Sequence, residues 1–153
     1  MSKIKSYRGL IADTGIDTIS LHTNNGSIGY RIVKLQLMPE APGTADCEHI
    51  VKVYSTPQAS TSSTIDLNDS TILAVGLTGN STNITQNISQ SIIIDNMIFN
   101  QDIDITHVEV NSNKPVNYYI ELEQMKLDLN ENTVATLKDI RNIKSQWALR
   151  FTI

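Results

Sequence analysis

The sequence predicts a mainly β protein, an antiparallel β-sandwich of jelly-roll type with one helix and one terminal strand at its C-terminal end. Apolar and polar residues alternate with a period of two over most of the first 130 residues, as in half-buried strands. Clusters of Gly, Pro, Asn and Ser interrupt this alternation at short intervals. No helical pattern lies between the strand patterns before residue 130, and many short strands without helical crossovers are typical of antiparallel sandwiches.

Nine segments carry the alternating pattern and are predicted strands: 6–12, 17–23, 29–38, 48–55, 64–67, 71–77, 91–99, 102–110 and 116–129. Four segments rich in turn-forming residues are predicted loops: 23–27, 39–46, 55–63 and 78–90. The five residues NSNKP, 111–115, lie between the last two strands. Because they are also turn formers, we expect 103–110 and 116–123 to form a β-hairpin.

The long strand 116–129 has a well-defined apolar face, predicted to carry Tyr118, Ile120 and Leu122. After Gln124 the apolar positions shift by one residue. This shift predicts either a β-bulge near Gln124 or a strand that passes from one sheet or partner to another.

A change of periodicity near residue 130 divides the chain into a predicted β-sandwich domain, 1–130, and a C-terminal arm, 131–153. Residues 130–147 have the apolar spacing of an amphipathic surface helix. Residues 147–153, WALRFTI, return to alternation, and such an apolar strand must pair with its own sheet or that of a neighbouring subunit. We therefore predict that the segment from Lys144 makes contacts between subunits of a homo-oligomer through Lys144, Trp147, Leu149, Arg150, Phe151 and Ile153.

The segment NQDIDITHVE, 100–109, is the stretch most suggestive of chemistry, since Asp102, Asp104 and His107 are types of residue that bind metals or transfer protons. In a strand, the two aspartates share one face with each other and His107 lies on the opposite face. We therefore expect both aspartates to face solvent. Three side chains on different faces cannot converge on one ion, so neither a metal site nor a catalytic site is expected here.

The remaining reactive residues do not form a recognisable motif. Cys47 is the single cysteine and is expected to be a reduced, buried thiol. His22, His49 and His107 are far apart in sequence and are expected to be structural or surface residues. No glycine-rich phosphate loop or metalloprotease motif occurs. The sequence thus predicts a protein that is not an enzyme and has no catalytic, cofactor-binding or metal-binding residues.

Charge is distributed unevenly along the chain. The formal net charge is −4, yet no Lys or Arg occurs between Lys52 and Lys114, while both ends are basic. A nucleic-acid-binding surface would require a denser basic stripe, so we expect contact with proteins and not with nucleic acid. No apolar run approaches the ~20 residues of a membrane span or forms a signal peptide. We expect a soluble protein, synthesised in a cytoplasm, that does not bind membranes.

Four stretches, GYRIVKLQLMP, DCEHIVKVYS, IIIDNMIFNQDIDITHVE and VNYYIELEQMKLDLNENTVATLKDIRNIKSQ, resemble small virion structural proteins encoded by tailed phages of marine bacteria. The resemblance implies a β-rich virion component, synthesised in the host cytoplasm, present in many copies and without enzymatic residues. A capsid decoration or cement protein that bridges capsid subunits, bound to the major capsid protein, is the first hypothesis. A neck or tail ring protein and a surface carbohydrate-binding module remain as alternatives.

Overall fold

The structure, a computed structural model, describes residues 3–21, 26–43, 46–81, 86–94 and 96–127. These residues form eight strands and no helix: β1 (Lys3–Ile11), β2 (Ile16–Ile19), β3 (Ile28–Pro39), β4 (Cys47–Tyr54), β5 (Ile72–Ser81), β6 (Gln86–Ile93), β7 (Ile103–Glu109) and β8 (Val116–Lys126). The predicted mainly β class is confirmed. The predicted helix 130–147 and terminal strand 147–153 lie outside the described residues.

The strands form two antiparallel sheets that enclose one apolar core. The three-stranded sheet has the order β1-β8-β3, and the five-stranded sheet has the order β2-β7-β4-β5-β6. Strand β8 buries Tyr118, Ile120 and Leu122 toward the core, so the predicted apolar face of this strand is confirmed. The hydroxyl of Tyr118 also donates to Asp17 Oδ2 at 2.5 Å and thereby links β8 to β2 in the opposite sheet.

The predicted bulge near Gln124 is wrong. Strand β8 pairs with β1 without interruption from Lys3 opposite Gln124 to Ile11 opposite Val116. The irregularity lies instead in β3, where Val33 is the extra residue between the paired positions 32 and 34. An edge strand such as β3 can accommodate an extra residue without disturbing a neighbour on its far side.

The predicted hairpin between 103–110 and 116–123 is also wrong, because β7 and β8 belong to different sheets. Strand β7 pairs with β2 and β4, whereas β8 pairs with β1 and β3. The connecting turn is held by Glu109, whose carboxylate accepts hydrogen bonds from the N–H groups of Asn111, Ser112 and Asn113. Asn113 has a φ of 58°, a left-handed conformation that asparagine tolerates well. The turn therefore carries the chain from one sheet to the other.

Three further predictions require correction. Residues 64–67 are not a strand; they belong to a segment, 55–71, that lies beside the five-stranded sheet and accepts a hydrogen bond from Lys52 Nζ at Thr64 O. The predicted loop 78–90 instead contains the end of β5 and most of β6. The predicted strand 91–99 ends at Ile93, and Phe99 forms only an isolated bridge with Tyr30.

Candidate functional site

The three residues of the DxD…H pattern are separated in the structure. Asp102 is exposed and accepts a hydrogen bond from the backbone N–H of Leu21 at 2.9 Å. Asp104 is only 8% exposed and accepts from Thr18 Oγ1 at 2.6 Å and from the N–H of Gln58 at 2.8 Å. The expectation of a solvent-facing carboxylate thus holds for Asp102 and is wrong for Asp104. The reason is that β2 and the 55–71 segment cover this part of β7.

His107 points into the core, on the face of β7 opposite to Asp104, as its parity predicted. Its Nδ1 lies 3.0 Å from the carbonyl oxygen of Ala12, and its Nε2 lies 2.9 Å from Nδ1 of His49. A carbonyl can only accept, so His107 carries its proton on Nδ1 and accepts from His49 through Nε2. His49 then has its lone pair on Nε2, an atom that is buried and has no hydrogen-bond partner among the described residues.

The histidine pair is held in its neutral form. Burial lowers the pKa of both His49 and His107, and the proximity of the two imidazoles lowers that of His49 further. The described residues contain no group of three or more His, Cys, Asp or Glu side chains that could hold a metal ion. Sequence reasoning missed the contact between the two histidines because it depends on the pairing of β4 with β7, two strands that are remote in sequence.

Glu109, the last residue of β7, is held by a set of backbone hydrogen bonds. Its carboxylate accepts from the N–H groups of Glu48, Asn111, Ser112 and Asn113, and its own N–H donates to Asp13 Oδ1 at 2.8 Å. Burial opposes ionisation, but the four backbone donors outweigh it and lower the pKa of Glu109 to about 2. The carboxylate thus holds the turn after β7 and also links it to β4 through the N–H of Glu48.

A second feature is a surface groove with a volume of about 840 Å³, within the range of ligand-binding clefts. It is lined by parts of β1, β3, β6 and β8, namely residues 8–9, 35–38, 89–91 and 117–119. Tyr119, one of these residues, is half-buried and donates its hydroxyl to Glu121 Oε2 at 2.6 Å. This hydrogen bond, with burial, raises the pKa of Tyr119, so the hydroxyl stays protonated.

Of the other residues named in the sequence analysis, one is buried and the rest lie outside the described residues. Cys47 is buried, as expected, at the start of β4. His22 lies outside the described residues, as do the six predicted contact residues Lys144, Trp147, Leu149, Arg150, Phe151 and Ile153. The contacts predicted for them remain predictions. Among the described residues, no helix has the length and apolar character needed to cross a membrane.

No protein-family model matches the chain, and no curated protein matches it.

Proposed function

We propose that this chain is a non-enzymatic structural protein of a virus particle, a capsid decoration or cement protein with a jelly-roll-like sandwich. In this role it resides in the virion and bridges capsid subunits. Its partners are further copies of itself and other virion proteins such as the major capsid protein. The resemblance of four sequence stretches to small virion proteins supports this assignment.

The observation that carries the proposal is the character of β6, the last strand of the five-stranded sheet. One side of β6 pairs with β5, and no described strand pairs with its other side. The strand reads QNISQSII and has neither charged residues nor proline, which natural proteins place at sheet edges to prevent pairing. Its surface exposes Ile88 at 44% and Ile92 at 50%. Such an edge is well suited to accept a strand from another chain.

The hydrogen bonds of the acidic and imidazole side chains also support a structural role in place of a catalytic one. Asp102, Asp104 and Glu109 accept hydrogen bonds from elsewhere in the sandwich, and His49 and His107 bind each other. These interactions leave the five side chains committed to the fold. A catalytic acid or base instead needs a proton-transfer path to a substrate.

The C-terminal segment of a neighbouring copy is the occupant that we propose for the β6 edge. Its residues 147–153 alternate in polarity, so one face would supply apolar contacts while the backbone pairs with β6. The contacts would come from Lys144, Trp147, Leu149, Arg150, Phe151 and Ile153. The two basic residues among them complement the stretch without Lys or Arg between Lys52 and Lys114.

Removal of residues 146–153 tests this assembly. We expect the truncated chain to remain folded, with an unchanged β-sheet circular dichroism spectrum, and to sediment as a monomer while the intact chain sediments as an oligomer. Ile88→Lys should also dissociate the oligomer, because it places a charge at the edge of β6. Ile65→Lys, at a similarly exposed isoleucine in the 55–71 segment, is the matched control and should leave the oligomer intact. A truncated chain that unfolds, from a monomeric parent, would refute the exchange of this segment.

Electron microscopy of the intact virus particle tests where this protein lies in the particle. A capsid decoration protein should appear as symmetric density over the capsid lattice, in a copy number matched to the capsid subunits. Density confined to the neck or tail would contradict the cement role and favour a ring protein.

A further inference from the structure

We propose that the apolar face of the incoming segment 147–153 enters the gap between the two sheets beside β6, so that the interface includes the inner face of this strand as well as its edge. The inference rests on the proposed function, in which this segment of a neighbouring copy pairs with β6. It adds which face of the segment is buried and what that face contacts.

The inner face of β6, the face turned toward the opposite sheet, is open at two positions. Ile93 packs against the core and lies opposite the buried Ala74 of β5. Ser89 and Ser91 share its face, because side chains alternate along a strand. Both serines are nevertheless exposed, as are the outward-facing residues between and beside them. Residues 88–92 are therefore exposed on both faces of the strand.

The inner face is open because the smaller sheet ends at β3. Strand β3 is the last in the order β1-β8-β3, and it lies close to both β5 and β6. Its Leu37 reaches Gly76 of β5, since a Cβ atom placed on this glycine would lie 2.8 Å from Leu37 Cδ1. Gly76 is paired directly with Ser91. Leu37 thus borders the open part of β6, and it is itself only partly buried.

Part of the surface groove lies at this border. Its lining includes Ser89 and Ser91 of β6 together with the inward-facing Leu35, Leu37 and Tyr118 of the opposite sheet. None of these five side chains is charged. The serines are small and leave room for large neighbours, as Gly76 does for Leu37. This part of the groove is therefore suited to apolar side chains supplied by another strand.

The alternation in WALRFTI fits the gap in one orientation. Four large apolar residues at 147, 149, 151 and 153 would lie on one face of a strand, with Arg150 on the other. When that strand pairs with the β6 edge, one of its faces continues the inner face of the sheet. A second sheet lies opposite only the inner face, and apolar side chains are buried between two such layers. The apolar face therefore turns inward, beside Ser89 and Ser91, and Arg150 turns outward.

Disulfide formation between two coexpressed chains tests this orientation, with Cys47→Ala in both chains to remove the native thiol. Residues that are directly opposite in neighbouring strands share a face, and their Cα atoms are about 4.5–5.5 Å apart, within reach of a disulfide. One chain carries Ser89→Cys or Ser91→Cys, and the other carries Leu149→Cys or Phe151→Cys. Non-reducing electrophoresis should show a covalent dimer for at least one of these four pairs.

The matched control uses the outer face of β6. Gln90→Cys, which is equally exposed, should form a covalent dimer with Ala148→Cys or Arg150→Cys and not with Leu149→Cys or Phe151→Cys. Because the comparison depends on which face each residue occupies, it does not require the register between the two strands.

Filling the groove gives a second measurement that needs no disulfide. Ser91→Tyr places a ring on the inner face and should weaken association by at least about tenfold, the effect of displacing one large apolar side chain. Gln90→Tyr, the same addition on the outer face, should change association by less than about twofold. Sedimentation over a concentration series measures both.

Two kinds of failure are distinguishable. A covalent dimer between Gln90→Cys and Leu149→Cys or Phe151→Cys would overturn the inference and leave the strand exchange intact, because the apolar face would then lie outside. Equal weakening by Ser91→Tyr and Gln90→Tyr, or an oligomer in which no inner pair forms a disulfide, would also overturn it. A monomeric intact chain would refute the proposed function and this inference together.

Discussion

Replacement of Glu109 by glutamine should destabilise the fold and, more specifically, remove a component of its acid sensitivity. In the folded chain, Glu109 is only 4% exposed, and its carboxylate accepts hydrogen bonds from four backbone N–H groups, those of Glu48, Asn111, Ser112 and Asn113. Glutamine keeps one acceptor oxygen but places an N–H₂ group against these donors. The substitution therefore removes the negative charge that the four donors stabilise.

The magnitude follows from the pKa of Glu109. Folding lowers that pKa from 4.5 to about 2, which at about 1.36 kcal/mol per pKa unit corresponds to about 3 kcal/mol of stability at neutral pH. Because the folded-state pKa is depressed, this contribution is complete above pH 4.5. It is lost progressively as the pH falls from 4.5 toward 2. The stability difference between parent and Glu109→Gln should therefore shrink over the same window.

Urea denaturation, followed by circular dichroism at several pH values between 7 and 3, measures this difference directly. Titration of the histidines is common to both proteins, so it cancels in the comparison. Glu40→Gln removes the same charge at an exposed position and should change stability by less than about 0.5 kcal/mol. A Glu109→Gln effect below about 1 kcal/mol at pH 7, or one that stays constant down to pH 3, would refute the reasoning.

Three further outcomes are expected. Stability should fall as the pH decreases below 6.5, because burial lowers the pKa of His49 and His107 in the folded chain, so the unfolded chain takes up protons first. Urea denaturation midpoints measured from pH 8 to 5 test this, and a midpoint that does not change with pH would contradict it. Ile120→Ala should cost about 2–5 kcal/mol in urea denaturation, since the side chain is fully buried. Asp104→Asn should lower the stability of the fold by about 1–3 kcal/mol and Asp102→Asn should lower it by less, because only Asp104 is buried. Equal losses of stability for the two variants in thermal melts would show that burial is not the cause.

The parts of the fold that sequence predicts well are those decided within one strand. The alternation of Tyr118, Ile120 and Leu122 fixes which face of β8 is buried, whatever the partner strands are. The parity of His107 relative to Asp104 is fixed in the same way. The burial of Asp104 is not local, because it depends on contacts with Thr18 and Gln58, which are remote in sequence.

Connections between strands were predicted less well, for a physical reason. The turn formers at 111–115 suit a hairpin and a crossing between sheets equally, and the sequence alone does not show that Glu109 binds the amides of this turn. Strand β6 was missed because its polar residues resemble a loop, although Ile88 and Ile92, four residues apart, lie on one face of the strand. The groove could not be predicted either, since it is lined by strands of both sheets, β1, β3 and β8 from one and β6 from the other.

The central position of β8 also dictates the order of events during synthesis. Strand β8 is the last described strand in sequence, yet it separates β1 from β3, and Lys3 pairs with Gln124. Until residue 126 has left the ribosome, neither β1 nor β3 has β8 to pair with. Pairing across more than 100 residues also makes a slow folding step, because a long loop must close before any contact compensates for its entropy. The three-stranded sheet must therefore form after translation has passed β8, and a nascent chain that stalls earlier would expose the apolar faces of two unpaired strands.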